Sequence, residues 1–132
     1  MVSDEQIREL VERLATLGRC LNIEQRRIDL SNEEEKTQEP NFWDDPERAQ
    51  EQLRKVSSIK SWIVDFDALA SVIGDVELVP DFLREGVMSE AEADALYADA
   101  MEKTESLELR NMLQGEEDKM GAIMDINAGA GG

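Results

Sequence analysis

Residues 40–50 read Pro-Asn-Phe-Trp-Asp-Asp-Pro-Glu-Arg-Ala-Gln, and they decide where the chain turns back on itself. Pro40 disfavours the helical conformation at the residue before it, so a preceding helix is expected to end there. Asp44 or Asp45 can cap a new helix, because a short acidic side chain accepts hydrogen bonds from the free N–H groups at a helix start. Pro46 then falls in the first turn, where its missing N–H costs no hydrogen bond. The stretch therefore predicts a corner between two helices.

Two aromatic residues stand side by side in this corner. Phe42 and Trp43 belong to a small set, since the whole chain has three Phe, two Trp and one Tyr. Large rings bury much apolar surface, so both are expected to pack where the first two helices meet. If the indole is buried, a Trp43→Ala change is expected to cost about 3–5 kcal/mol. Glu47 adds negative charge at the start of the next helix, where the helix dipole favours it.

The segment before the corner, residues 3–38, has the pattern of one long helix. Ser3 and Gln6 form a capping box at its start. Apolar residues then recur at intervals of three and four, at Ile7, Leu10, Val11, Leu14, Leu17, Leu21 and Ile28. Four of them are separated by sevens, which predicts coiled-coil-like packing against neighbouring helices. Gly18 is a poor helix former, and a bend is expected there.

The segment after the corner predicts a second long helix over residues 45–73. Its apolar face repeats every three or four residues, at Ala49, Leu53, Val56, Ile59, Ile63, Phe66, Ala70 and Ile73. Trp62 and Leu69 widen this face, as expected for a central helix that contacts more than one neighbour. Gly74 is expected to end the helix.

The remaining helical segments follow at once. Residues 75–86 predict a short helical segment in which Pro80 permits a start and Gly86 is the stop. Ser89 and Glu92 form a second capping box, which opens the last long helix. The inner face of that helix is expected at Ala91, Ala95, Ala98, Met101, Leu109 and Met112. The predicted fold class is all-α, an antiparallel bundle of three long helices plus a short helical segment.

From Lys119 the pattern of apolar residues changes to a period of two. The alternation involves Met120, Ala122, Met124 and Ile126 on one side and Gly121, Ile123, Asp125 and Asn127 on the other. Such alternation predicts an extended strand, and a Gly-rich stretch ending in Gly131 and Gly132 follows it. An isolated strand has no partner in a helical bundle. Residues 1–118 are therefore expected to form the bundle, and residues 119–132 the truncated start of a second domain.

The charge balance favours a protein partner over a nucleic acid. The chain has 14 basic and 31 acidic residues, a formal net charge of -17. A phosphate backbone would repel such a chain, because nucleic-acid binding depends on Lys and Arg residues that neutralise phosphates. A basic protein surface is the expected partner. Solvated helix faces are the other explanation of the same charge.

Composition excludes several kinds of site and compartment. The chain has no His and a single Cys, Cys20, which excludes imidazole catalysis, His-ligated metals and a disulfide framework. A lone cysteine fits a reducing compartment. The acidic N-terminus is unlike a signal peptide, and no apolar run approaches the length of a membrane span. The protein is expected to be cytoplasmic, with no membrane partner.

The polar residues form no predicted catalytic or cofactor site. The acidic runs at residues 33–35 and 116–118 lie in polar stretches, which is typical of a solvated surface and not of an acid–base pair. A carboxylate metal site would need acidic residues on the inner helix faces, which are apolar. The terminal glycines lack the Lys and the Ser or Thr of a phosphate loop. No catalytic residue, metal, cofactor or small-molecule ligand is expected.

Two motifs resemble parts of a known family. Residues 40–50 are similar to a segment near the N-terminus of bacterial peptide chain release factor 2, a class I translation release factor. The signature residues are Pro40, Phe42, Trp43, Asp44, Asp45, Pro46, Glu47 and Arg48. Residues 124–132 resemble the junction between the first and second domains of that family, and residues 109–116 resemble the run into it. The junction residues are Asp125, Ile126, Gly129, Gly131 and Gly132.

The resemblance implies a role in translation termination. A full-length member would recognise UGA and UAA stop codons, contact mRNA and ribosomal RNA, and promote peptidyl-tRNA hydrolysis. Its N-terminal helical domain would bind near the stalk base of the large ribosomal subunit and associate with the release-factor GTPase. The Gly-Gly-Gln tripeptide of hydrolysis and the Ser-Pro-Phe tripeptide of codon reading do not occur in this chain. The fragment is therefore expected to bind and not to hydrolyse, and no catalytic residue carries over.

Two alternatives remain open from the residues alone. A free-standing acidic helical scaffold or adaptor would explain the seven-residue spacing and the charge, but not the strand and glycines at the end. A small helical enzyme such as a mutase would need inward-facing Arg or Lys residues to hold an anionic substrate. The basic residues do not fall on the apolar stripes, which disfavours the enzyme.

Overall fold

The computed structural model describes residues 1–114 with their side chains. In chain order the elements are α1 (Asp4–Cys20), α2 (Ile23–Lys36), a single 3-10 turn (Phe42–Asp44), α3 (Pro46–Glu77), α4 (Val79–Glu85) and α5 (Glu90–Gly131). Residues 1–114 contain no strand, and the all-α fold class is confirmed. The predicted strand and the predicted domain boundary after residue 118 fall beyond residue 114, outside the residues described with their side chains, and stay predictions.

The first predicted long helix is in fact two helices, and the break lies at Asn22. Asn22 has φ 51° and ψ 50°, a left-handed conformation that Asn adopts more readily than most residues. Arg26 supports the break, since its Nε donates a hydrogen bond to the carbonyl oxygen of Leu21 at 2.6 Å. The seven-residue pattern ends here as well, because Ile28 on α2 is exposed. The prediction of one continuous helix over residues 3–38 was therefore wrong.

The bend predicted at Gly18 stays a prediction, and the structure gives this glycine a role in helix packing. Gly18 lies within α1, where a Cβ atom would come within 3.0 Å of the Cζ atom of Phe66. The absence of a side chain allows α1 to approach the ring on α3 closely. The sequence shows a glycine at this position, but it does not show that Phe66 of α3 packs against it.

Helix α3 is the centre of the fold and contacts every other element. Its start follows the prediction, with Asp45 as the N-cap and Pro46 in the first turn; the Asp45 side chain accepts the Arg48 N–H at 3.3 Å. Its end does not, because the helix continues through Gly74 to Glu77. Burial explains the difference, since Ile73 and Val76 on either side of Gly74 are both fully buried.

A Gly74→Ala variant should distinguish these two views of α3. We expect it to raise the free energy of unfolding by about 0.5–1 kcal/mol, because alanine is the better residue inside a helix. A Cβ atom at this position would meet no other atom within 4 Å. The control is Gly86→Ala, which should destabilise the protein, because Gly86 ends α4 with φ 73°. Urea unfolding measures both, and a destabilising Gly74→Ala would contradict the continuous helix.

Helix α5 starts as predicted but presents a different face. The Ser89–Glu92 capping box is present, with both hydrogen bonds formed. Of the predicted inner residues only Met101 packs against the core; Ala91, Ala95, Ala98, Leu109 and Met112 are exposed. The residues that do face inward are Ala93, Leu96, Tyr97, Ala100, Thr104 and Leu107. Both faces carry small and apolar residues, so spacing alone could not choose between them.

The polar residue in the middle of this inner face is satisfied locally. Thr104 is fully buried, and its hydroxyl donates a hydrogen bond to the Ala100 carbonyl oxygen at 2.7 Å. A buried hydroxyl costs little when it is paired in this way. A sequence search for apolar residues passes over such a position.

Ion pairs and hydrogen bonds between helices show their relative directions. Glu33 and Arg27 on α2 contact Gln52 and Asp67 on α3, so α2 and α3 are antiparallel. Arg110 on α5 pairs with Asp65, which lies near the middle of α3. Helix α1 instead runs parallel to α5, because Met1 contacts Asp94 and Arg13 contacts Glu108.

Candidate interaction surfaces

The aromatic corner, residues 40–48, is one 3-10 turn followed by the start of α3. Two backbone hydrogen bonds close the turn: the Phe42 N–H donates to the Glu39 carbonyl oxygen, and the Asp44 N–H donates to the Asn41 carbonyl oxygen, each at 3.1 Å. The eight predicted signature residues therefore form one compact surface feature.

The two rings of the corner face different environments. Phe42 is half-buried, whereas the Trp43 side chain is 65% exposed. The ring centroids lie 5.1 Å apart with an interplanar angle of 82°, an edge-to-face arrangement. The prediction that both rings are buried was wrong for Trp43. Adjacent residues in a single tight turn point in different directions, so only one of the two can face inward.

A depression of about 520 Å³ lies beside the turn. It is lined by Lys36, Glu39, Asn41, Phe42, Asp44, Asp45, Arg48, Ala49 and Gln52. Half of the signature residues contribute to it. Ala49 is buried and forms part of its apolar base together with the inward ring.

The rim of this depression is more negative than positive. Glu39, Asp44 and Asp45 contribute three carboxylates, and Lys36 and Arg48 contribute two cations. Lys36 is already bound by Glu33, since its Nζ lies 3.0 Å from a carboxylate oxygen of that residue. Arg48 forms no ion pair with any residue of the described range.

Glu33 joins α2 to α3 next to the corner. Its carboxylate accepts a hydrogen bond from Gln52 Nε2 at 2.7 Å and lies 2.9 Å from Lys55 Nζ and 3.0 Å from Lys36 Nζ. These three partners, with the Gln52 hydrogen bond as the largest cause, lower the pKa of Glu33 from its ordinary 4.5 to about 2. The acidic run that sequence reasoning assigned to a solvated surface therefore contains one structural carboxylate.

The lowered pKa of Glu33 predicts a pH-dependent contribution to stability. A carboxylate with a depressed folded pKa stabilises the protein above its unfolded pKa and loses this effect as pH falls through the folded value. We expect Glu33→Gln to be less stable than the native chain at pH 7, and the difference to shrink between about pH 4.5 and 2. Urea midpoints of both proteins at stepped pH measure it, with the exposed Glu34→Gln as a control. A difference that does not vary with pH would contradict the interaction.

A second cluster surrounds Trp62, the buried tryptophan of α3. The Arg110 guanidinium carbon lies 3.9 Å from its ring centroid, and that of Arg26 lies at 5.3 Å. Arg110 also pairs with Asp65 and donates a hydrogen bond to Ser61 Oγ at 3.2 Å. Arginines from two other helices thus hold the ring, a contact that apolar spacing could not reveal.

The partly buried arginines leave little capacity for an anionic substrate. Arg13 donates a hydrogen bond to Glu108 Oε2 at 3.1 Å and contacts the Met101 sulfur at 2.9 Å. The hydrogen bond to Glu108 raises the pKa of Arg13 above its ordinary value. Because this guanidinium is engaged within the bundle, it does not provide the free inward cation that a mutase would need.

A shallow groove of about 830 Å³ follows the break between α1 and α2. Its apolar residues include Val11, Leu14, Ile23, Ile28 and Phe66. Two cations, Arg19 and Arg27, and one acid, Glu24, also line it. Arg27 is paired, since one of its nitrogens donates a hydrogen bond to Asp67 at 3.0 Å. That hydrogen bond lowers the pKa of Asp67.

Two further findings concern the described part of the chain. No group of three or more His, Cys, Asp or Glu side chains there is arranged to hold a metal ion. No helix in that part is long and apolar enough to cross a membrane. The predicted junction residues Asp125, Ile126, Gly129, Gly131 and Gly132 lie outside the described residues.

Comparison with known proteins gives consistent matches. The PCRF domain family matches residues 26–132, a range that includes most of α2 and the whole aromatic corner. Peptide chain release factor 2 of Thermomicrobium roseum is 33% identical over 130 residues, which cover 96% of this chain and 34% of that protein. The namesake from Staphylococcus haemolyticus is 32% identical over 130 residues, with the same coverage. That from Tolumonas auensis is 33% identical over 129 residues, covering 96% and 35%. The chain spans about a third of the length of these curated relatives.

Proposed function

The chain belongs to the PCRF domain family, and from this membership we propose that it is the N-terminal, ribosome-binding domain of a translation termination factor. The observation that supports this most is the family match over residues 26–132, together with relatives that carry the name Peptide chain release factor 2 across 96% of the chain. The aromatic corner lies inside the matched range.

The full-length protein would recognise UGA and UAA stop codons on the ribosome and promote release of the finished polypeptide. Contacts with mRNA and ribosomal RNA would belong to other parts of that protein, because a net charge of -17 opposes contact with phosphates. This chain would supply binding to protein components near the stalk base of the large subunit and to the release-factor GTPase. Its place of action would be the cytoplasm, where ribosomes translate.

Electrostatics support a protein contact at the ribosome. Opposite potentials speed the encounter of two surfaces and disfavour wrong partners. An acidic helical domain has the charge that complements a basic ribosomal protein. The aromatic corner also carries exposed carboxylates, and they lie next in sequence to the exposed ring of Trp43. The chain itself is proposed to have no hydrolytic activity.

Direct binding to ribosomes tests this proposal. Cys20 is the one cysteine of the chain and is exposed, so it can carry a fluorescent label. We expect saturable binding to 70S ribosomes and 50S subunits, measured by fluorescence anisotropy. Binding should weaken about tenfold or more between roughly 0.05 and 0.3 M KCl, because salt screens exposed charges.

The controls separate this function from the scaffold alternative. Isolated 30S subunits should not bind the labelled chain, because the proposed site is on the large subunit. A free-standing scaffold would bind neither subunit. Absence of binding to 50S subunits at low salt, or binding that does not vary with KCl, would overturn the proposal.

A further inference from the structure

We propose that Trp43 anchors a docking surface for an arginine- or lysine-rich segment of a partner protein. The surface consists of the exposed indole and the depression that both sequence neighbours of Trp43, Phe42 and Asp44, help to line. This inference rests on the proposed function for the setting in which the partner is met, and it adds the residue and the partner chemistry. The evidence comes from the exposure, the rigidity and the charge of the aromatic corner.

The two tryptophans of the chain differ in one decisive way. Trp62 is 4% exposed and already has two guanidinium groups, those of Arg26 and Arg110, over its ring. Trp43 is 65% exposed, and no Arg or Lys of the described residues stacks on it. The face of an indole attracts cations, more strongly than the other aromatic rings do. Trp43 is therefore free to accept from a partner the contact that Trp62 receives from its own chain.

The exposed ring is also held in place before any partner arrives. It stacks edge-to-face on Phe42, and the turn that carries both rings is closed by backbone hydrogen bonds. Pro40 and Pro46 restrict the backbone on either side. A contact residue that is ordered in advance loses less conformational freedom on binding. Exposed aromatic anchors of this kind dominate the energy of many protein interfaces.

Charge selects the occupant of the depression. Three carboxylates, those of Glu39, Asp44 and Asp45, line it, and Lys36 is paired with Glu33, a carboxylate that it shares with Lys55. Arg48 is the remaining cation at the rim. A volume of about 520 Å³ accommodates a long side chain, whose cationic end would reach the carboxylates. An arginine or lysine fits both the apolar base and the negative rim.

The same charges disfavour other occupants. A phosphate backbone would meet three carboxylates and gain no counterion release. A second copy of the chain carries the same net charge of -17, so the two would repel each other. A basic protein segment is the occupant that matches the surface.

An oligoarginine peptide provides the probe, and the indole N–H signals of the ¹⁵N-labelled chain provide the readout. The two tryptophans give two such signals, which a Trp43→Phe variant assigns. We expect the Trp43 signal to shift progressively with peptide concentration and the Trp62 signal to stay in place. An oligoglutamate peptide of equal length should shift neither signal.

Variants of the surface should change the affinity for oligoarginine in both directions. Trp43→Ala should weaken binding about tenfold, which corresponds to loss of one exposed cation–π contact and its apolar area. Asp44→Asn should weaken it about threefold. Arg48→Ala should strengthen it about twofold, because it removes a like charge from the rim. If the corner had only a structural role, Arg48→Ala would not be expected to raise the affinity for oligoarginine.

Matched controls lie far from the corner. Val87 is as exposed as Trp43, and Glu77 is an exposed acid at the other end of α3. Val87→Ala and Glu77→Gln should leave the affinity within about twofold of the native value. Equal binding by Trp43→Ala and the native chain, or an unchanged Trp43 signal at saturation, would overturn the proposal. Dimerisation through Trp43 in sedimentation of the chain alone would also overturn it.

Ribosome binding by the same variants separates this inference from the proposed function. If 50S subunits bind Trp43→Ala as well as the native chain, the docking surface is wrong and the proposed function stands. If 50S subunits bind neither the native chain nor Trp43→Ala, while binding of the oligoarginine peptide still depends on Trp43, the docking surface stands and the proposed function fails. Weaker 50S binding by Trp43→Ala, with normal binding by Val87→Ala, supports both.

Discussion

Replacing Trp62 with alanine is expected to lower the free energy of unfolding by about 3–5 kcal/mol. The ring is 4% exposed and lies in the main core cluster, so its loss removes a large apolar area and leaves a cavity. It also leaves the guanidinium groups of Arg26 and Arg110 without the face they cover. These arginines come from α2 and α5, so a single substitution weakens contacts across three helices.

The same substitution at Trp43 should cost less than about 1 kcal/mol. The contrast tests whether the Trp43 ring is exposed, because replacing a buried Trp43 with alanine would cost as much free energy of unfolding as replacing Trp62. Urea unfolding followed by far-UV circular dichroism measures both variants without relying on tryptophan fluorescence. A Trp62→Phe variant, which retains much of the ring area, should fall between the native chain and Trp62→Ala. Equal losses at the two tryptophans would contradict the structure.

The second large effect concerns peptide release. We expect the 132-residue chain alone to give no stop-codon-dependent release of peptide above background. Neither the Gly-Gly-Gln nor the Ser-Pro-Phe tripeptide occurs in it. We expect a difference of orders of magnitude from an active release factor, because the resemblance assigns hydrolysis to a tripeptide that does not occur in these 132 residues.

Release complexes with UGA or UAA in the decoding site measure this directly. A full-length peptide chain release factor 2 supplies the positive control, and complexes with a sense codon supply the background. Release by the chain at a rate close to that of the full-length factor would contradict the proposed division between binding and chemistry.

Local residue chemistry predicted the starts of the helices well. The Ser3 and Ser89 capping boxes, the Asp45 cap and the place of Pro46 all appear in the structure. Each depends on hydrogen bonds within a few residues, which sequence spacing reveals. The all-α fold class followed from the same reasoning.

Helix ends and faces were harder to predict, because contacts with other helices decide them. Helix α3 continues past Gly74 since Val76 is buried by neighbouring elements. The break at Asn22 depends on a left-handed residue that no periodicity marks. The inner face of α5 includes Thr104, a polar residue that a search for apolar positions passes over. Its hydroxyl can be buried because it donates a hydrogen bond to the Ala100 carbonyl oxygen of the same helix.

The same division applies to the candidate surface. Sequence reasoning found the aromatic corner but placed Trp43 inside, because it could not tell which of two adjacent rings faces α3. It also missed the Glu33–Gln52 contact, which joins residues 19 positions apart on different helices. The exposed indole, the depression and the paired Lys36 became visible only in three dimensions.

Competition on the ribosome tests the central claim most directly, namely that this chain is a ribosome-binding domain of the PCRF family. Unlabelled chain is added to 70S ribosomes that hold a fluorescently labelled full-length peptide chain release factor 2. The account predicts displacement of the full-length factor with increasing chain concentration, and weaker displacement by the Trp43→Ala variant. The account is contradicted if the labelled factor stays fully bound at chain concentrations that saturate the binding of the chain itself to ribosomes.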